Sequence, residues 1–146
     1  EKITYLNIDS LIQNTSYGKT LLNEIEILNK KKISEFKKRE QDIKKKEQDL
    51  INKKNVLSKE DFKKNALNIK KQMDNFNLDK RKSNVEFENK RNDLLNNFFK
   101  KIRPIIEEYV EENNISAVLN KKNIFIANKK YDITEELIKA INEKLK

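Results

Sequence analysis

The stretch ISAVLNKKNIFIANKKYDIT, residues 115–134, decides how the rest of the chain is read. Short runs of Ile, Val, Leu and Phe are broken there by Asn-Lys steps, whereas nearly everything before it is long, polar helix. Residues 115–119 and 123–127 are two strand candidates, and the NKK between them is the expected hairpin loop. The following YDITEELIKAINEKL starts a last helix. Thr134 is its expected N-cap, Ile133 and Ile138 its hydrophobic staple, and Glu135 and Glu136 suit the positive end of the helix dipole.

Working back from this stretch, EENN at 111–114 closes a long helix. Its last turns carry Leu95, Phe98, Phe99, Ile102, Ile105, Ile106, Tyr109 and Val110, apolar on more than one face, so this end has two neighbours. Pro104 lies inside the run and predicts a bend rather than a stop, because the apolar pattern continues past it. Earlier in the same helix Phe62, Ala66, Ile69, Met73 and Phe76 recur at alternating four and three. The register continues through Lys80 and Ser83 to Phe87, Lys90 and Leu94. A turn is expected at 57–60, with Ser58 and Asp61 as a capping box.

The preceding helix, 19–57, has Leu21, Leu22, Ile25 and Leu28 on one face. The stripe then thins to Phe36, Ile43, Leu50 and Leu57 at seven-residue steps, with Glu40, Glu47 and Lys54 at the other seam positions. That seam suffices for an antiparallel neighbour but not for a wide core. At the start, ITYLNI (residues 3–8) reads as a strand. Asp9 and Ser10 are N-cap candidates for a short helix, LIQNTSY, which Gly18 is expected to interrupt.

The order is strand, short helix, two long helices, two strands, helix. This is an α+β chain, mainly α, in which a long antiparallel helical hairpin projects from a small β body. The body is expected at 1–29 and 104–146, the hairpin at 30–103. Each long helix, at about 40 residues, extends roughly 60 Å.

Composition agrees. Of 146 residues, 39% are charged and 36% hydrophobic, with one Gly and one Pro, which favours long helices and leaves too little apolar surface for a core along the whole length. With no His and no Cys, disulfides, Cys/His zinc sites and His-dependent nucleophilic catalysis are excluded. No metal and no cofactor is expected, and the chain is not read as an enzyme. Glu107, Glu108, Glu111 and Glu112 are grouped on an exposed helix stretch without partnering chemistry. GKT at 18–20 lacks the upstream Gly of a phosphate loop, since that position is Gln13. No run approaches the roughly 18 apolar residues of a membrane span. EKITYLNID at the start suits a mature end left by signal-peptide removal. The net charge is +9, yet residues 30–103 alone hold 24 Lys/Arg against 12 Asp/Glu. The basic excess therefore lies in the middle and points to anionic contacts beside a solvated face.

KITYLNIDSLIQ at the start, the charged hairpin, IRPIIEEYVEENNISAVLN and DITEELIKAI together resemble the Skp/OmpH family of periplasmic chaperones, over the whole chain. The resemblance implies a homotrimer in which a β body assembled from three chains carries three helical tentacles around a cavity. It implies an ATP-independent holdase for unfolded outer-membrane β-barrel proteins, in the periplasm of a Gram-negative bacterium. The residues suit this: one copy has few strands with unpaired edges, and closure across a three-fold axis would bury Ile3, Tyr5, Leu6, Ile8, Val118, Leu119, Ile124, Phe125 and Ile126. Phe62, Met73, Phe76 and Phe87, sparse among many Lys, are candidates for adaptable client contact. Their plainer role is to hold the two helices together. Lys80, Arg81 and Lys82 form a basic patch for anionic lipid or lipopolysaccharide, or a solvated face.

Alternatives stay open. A prefoldin-like chaperone has its β hairpins between the long helices, whereas here the strands flank them. A basic coiled coil binding nucleic acid would need stacking aromatics or a recognition motif, and only scattered Phe are present, so no nucleic acid is expected. A purely structural coiled coil gives the closing hairpin no task.

Overall fold

The computed structural model describes residues 1–146. Strand β1 (Ile3–Leu6) is followed by helices α1 (Ile8–Asn14), α2 (Ser16–Asn52) and α3 (Lys59–Glu112). Then come strand β2 (Ala117–Asn120), two 3-10 turns (Lys121–Asn123 and Lys129–Tyr131) and helix α4 (Thr134–Lys144). The mainly helical α+β class expected from the sequence is the one observed. The chain divides into two compact units, Glu1–Glu26 with Arg91–Lys146, and Ile27–Lys90.

In the first unit, β1 pairs β2 in parallel, with Ile3 opposite Ala117, Tyr5 opposite Leu119 and Leu6 opposite Asn120. The other edge of β1 is also occupied. Tyr5 bridges Asp132, the Ile133 N–H donates to the Tyr5 carbonyl at 3.0 Å, and the Asn7 N–H donates to Thr134 Oγ1 at 3.0 Å. Beneath this ribbon, Leu11, Phe98, Leu137 and Ile141 are fully buried, with Ile102 nearly so. Alpha-helix α4 is held against α3 by an ion pair between Lys144 and Glu108. The hydrogen bond from Lys144 holds the Glu108 carboxyl below its usual range. That contribution is present at neutral pH and is lost as pH falls through the lowered pKa.

Thr134 is the first helical residue of α4 rather than its N-cap. Asp132 does the capping, accepting the Thr134 N–H at 3.0 Å, and the Thr134 hydroxyl is committed to Asp132 and Asn7. The break between the first two helices also differs from expectation. It falls at Thr15, not Gly18. Thr15 is fully buried and extended; its hydroxyl donates to the Leu11 carbonyl that ends α1 and accepts the Gly18 N–H at 3.0 Å at the start of α2. One side chain thus caps two helices, and Asn142 of α4 accepts the Ser16 N–H at 2.9 Å. Gly18 sits inside α2 because the backbone of α1 comes too close for a side chain: a Cβ there would lie 2.0 Å from the Ile12 carbonyl oxygen.

Helix α3 runs through Pro104 to Glu112. Asn114, at φ 51°, turns left-handed, the Ile115 N–H reaches the Val110 carbonyl at 3.0 Å and the Asn114 N–H reaches Glu111 at 3.3 Å. This is a Schellman closure with Asn in place of Gly. Beyond it only one of the two expected strands forms. Residues 123–127 make no ladder and no hairpin. The Asn120 side chain accepts the Lys122 N–H and starts a 3-10 turn that carries the chain away from β2, while both edges of β1 are already taken. The outer edge of β2 stays open, because the segment that would have paired with it leaves at this turn.

In the second unit, α2 and α3 form an antiparallel hairpin. Its turn lies at 53–58, slightly earlier than expected, and the Ser58 hydroxyl accepts the Asp61 N–H at 3.1 Å as the capping pattern requires.

Gly18→Ala tests the α1–α2 junction. On an open helix surface the change gains about 1 kcal/mol. Here the collision with Ile12 should reverse the sign and cost about 2 kcal/mol or more, read as a lower urea midpoint by far-ultraviolet circular dichroism. An unchanged or raised midpoint would show that α1 can move aside.

Candidate functional site

A hairpin of 64 residues normally needs a continuous apolar seam, but in 27–90 only Ile43 and Phe76 are buried apolar residues. The other twelve buried apolar side chains of the chain all lie in the first unit. Phe76 meets the edge of Phe36, ring centroids 5.9 Å apart, and Arg39 lies over both rings at 5.5 and 5.6 Å. Arg39 also pairs with Asp79 at 3.1 Å. Part of this arrangement recurs one heptad away on either side, with a ring on the Lys32 side only. Lys32 donates to Asn84 at 2.8 Å and covers Phe87 at 4.6 Å, and Lys46 donates to Gln72 at 3.0 Å. Lys32, Arg39 and Lys46 thus form a ladder of basic side chains on α2, each reaching a polar acceptor on α3. Sequence reasoning followed the apolar seam and missed this ladder, although its seven-residue spacing was the available signal.

Each residue singled out from the sequence can be placed. Phe76 is buried in the seam, while Phe62, Met73 and Phe87 are half-buried along it. Lys80, Arg81 and Lys82 are exposed, with Lys80 Nζ 5.9 Å from the Phe76 ring centre. The most accessible apolar side chains of the hairpin helices are others: Ile27, Ile33, Ile51, Leu67, Leu78 and Val85, all between 45% and 61% exposed. They lie off the seam register, so a search for heptads passes over them.

In the first unit, Tyr5 and Leu6 are buried within the chain itself, and Ile8 and Val118 are half-buried. Ile3 and Leu119 are about half exposed, and Phe125 and Ile126 are 97% and 81% exposed. Beta-strand β2 has β1 on one side and no ladder partner on the other. Ile124, Phe125 and Ile126 border a cleft that Tyr5, Lys121, Asp132 and Glu135 complete. No group of three or more Asp or Glu is spaced to hold a metal ion. The chain offers surfaces: a basic, sparsely apolar hairpin and an apolar edge.

The family model described as outer membrane protein (OmpH-like) matches residues 2–141. No curated protein matches the sequence. A solved structure from Caulobacter crescentus, described as an OmpH-like outer membrane chaperone, matches with a TM-score of 0.89. It is 13% identical, and the match covers 98% of this chain and 85% of that one. At that identity the likeness is one of fold.

The seam makes a quantitative expectation. Phe76→Ala should cost about 3 kcal/mol and Arg39→Ala about 1 kcal/mol, with less than additive loss in the double variant because both groups share Phe36. Native-state amide exchange over 27–90 reads all three. Unchanged protection in Phe76→Ala would mean that the hairpin does not depend on this contact.

Proposed function

The chain belongs to the OmpH-like family, and from that premise we propose that it is an ATP-independent holdase. It takes up unfolded outer-membrane β-barrel proteins in the periplasm and keeps them soluble until insertion. The working form is a homotrimer whose bodies join through the exposed apolar edge and whose three hairpins surround the client.

The observation that carries this reading is the edge itself. A chain of this size with Phe125 and Ile126 largely exposed, and with one edge of β2 unpaired, has surface that a lone copy leaves in water. At about 25 cal/mol per Å² of apolar area, covering such groups three times over is a substantial drive to self-association. A three-fold arrangement closes, and a closed arrangement leaves no sticky edge for further growth. The hairpin supports the second half of the reading. Its excess of Lys gives long-range attraction for chains of net negative charge, and its scattered apolar groups give weak contacts that no single client sequence is required to match. Phe62, Met73 and Phe87 are the seam residues with surface left to offer, and Phe76 takes part only if the seam opens. Lys80, Arg81 and Lys82 are free to meet anionic lipid or lipopolysaccharide head groups.

Light scattering tests both parts. The purified chain should have three times the 17.5 kDa mass of one copy and should suppress aggregation of an unfolded outer-membrane β-barrel protein diluted from urea, without nucleotide. Phe125→Asp with Ile126→Asp should reduce the mass to that of one chain and abolish the suppression while leaving the helical signal. A stable wild-type monomer that fails to keep the client soluble rejects trimer and holdase together.

A further inference from the structure

Leu67 stands alone among lysines. Residues 62–73 contain four Lys and no Asp or Glu. Lys63, Lys64, Lys70 and Lys71 lie four and three residues before and after Leu67, which on an α-helix makes them its immediate surface neighbours. All four are exposed, and Leu67 is 59% exposed. None of the four makes an ion pair or side-chain hydrogen bond within the chain. Phe76 lies nine residues on, half a turn out of phase, so the seam with α2 occupies the opposite face.

The face continues. Val85 is 18 residues from Leu67, five whole turns, and therefore in line with it, with Leu78 close to the same line. All three are exposed. Arg81 and Lys82 fill the space between Leu78 and Val85 and are exposed too. The result is a stripe with apolar points separated by roughly 16 and 10 Å, with basic residues on both sides of Leu67, Arg81 and Lys82 between Leu78 and Val85, and Asp74 and Glu88 as the acidic residues before Leu78 and after Val85.

We infer that this face of α3 is where the hairpin grips an unfolded polypeptide, in segments where an apolar side chain is flanked by carboxylates. This rests on the chaperone reading and deepens it. Charge complementarity selects the occupant: unpaired ammonium groups around a single apolar point match an acidic chain with isolated apolar residues. The spacing suits an extended polypeptide, which rises about 3.3 Å per residue and covers the gap between Leu67 and Leu78 in about five residues. It does not suit burial of this face in a bilayer. A helix lying on lipid needs a broad, continuous apolar face, and three apolar residues over five turns do not make one.

The test uses the full chain and labelled unfolded peptides of about a dozen residues, long enough to span the stripe. One alternates Glu with Leu and Val; a second has Gln for every Glu. The variant Lys63→Gln, Lys64→Gln, Lys70→Gln, Lys71→Gln should bind the acidic peptide about tenfold more weakly and lose most of the salt dependence between about 50 and 300 mM. Leu67→Ser should weaken it about threefold. A control with the same loss of charge on exposed positions elsewhere, Lys37→Gln, Lys38→Gln, Lys45→Gln, Lys54→Gln, should weaken it less than threefold. The Gln peptide should bind weakly to every form. Equal loss in both four-site variants would overturn the inference, leaving only net charge. So would an unchanged peptide affinity with lost binding to phosphatidylglycerol vesicles, which would make the face a lipid site. If the wild-type chain keeps an outer-membrane client soluble and the four-site variant on α3 does so equally, the face is wrong and the chaperone reading stands. If the wild type keeps no client soluble, the chaperone reading itself falls.

Discussion

The parallel pairing of β1 with β2 is the constraint on which the rest of the chain depends. Antiparallel strands can be joined by two residues, but parallel strands require the chain to cross back to the starting end. Here the connection between Leu6 and Ala117 is α1, α2 and α3. A connection of that length returns to the same ribbon only if its two long helices run in opposite directions. The antiparallel hairpin and the sheet are therefore one topological commitment. Because Ile133 and Thr134 close on the other edge of β1, the first seven residues and the last helix become part of the same layer.

The two units solve stability in different ways. The first has a core of ordinary kind, with fully buried Leu11, Phe98, Leu137 and Ile141. The second relies on a narrow line of contacts, in which Lys32, Arg39 and Lys46 of α2 each offer a hydrogen bond, and Lys32 and Arg39 also a cation over a ring. Exposed pairs of this type contribute at most about 1 kcal/mol each. A hairpin so built, with only Ile43 and Phe76 buried in it, is expected to have lower local stability than the first unit.

Much of this was legible in the residues. Phe36, Ile43, Phe62 and Phe76 marked an antiparallel seam, Ser58 and Asp61 marked the start of α3, and EENN marked its end. Helix periodicity and capping are local, so one sequence suffices to read them. One miss was local, since Asn7 rather than Asp9 or Ser10 caps α1; the others were tertiary. Gly18 looked like a breaker because Gly usually is, but its reason for being there is Ile12, six residues away and on another helix. Thr134 looked like a cap because the hydroxyl could serve, but that hydroxyl is taken by Asp132 and by Asn7, 127 residues distant. The exposed stripe of Leu67, Leu78 and Val85 was invisible to a search for core because it belongs to the face that no part of the chain covers.

Residues 123–127 carry the most informative mismatch. Their alternation and β-branched residues describe a strand, and the fold gives them no partner. Yet they are not left slack. Asn120 and Asn128 each accept the N–H two residues on, at 3.2 and 3.1 Å, and the two resulting 3-10 turns close with equivalent bonds to Ile124 and Asp132. The repeated Asn-Lys-Lys thus pins the segment at both ends, and Ile124 already has extended φ and ψ of −110° and 122°. Ordering a backbone residue costs on the order of 1–2 kcal/mol, so a segment held extended before it meets a partner loses less on pairing than a loose loop would. Sequence pattern and local geometry agree on a strand here. What is missing is the neighbouring edge: β1 is saturated on both sides, and the turn at Lys121–Asn123 takes the segment off the open edge of β2.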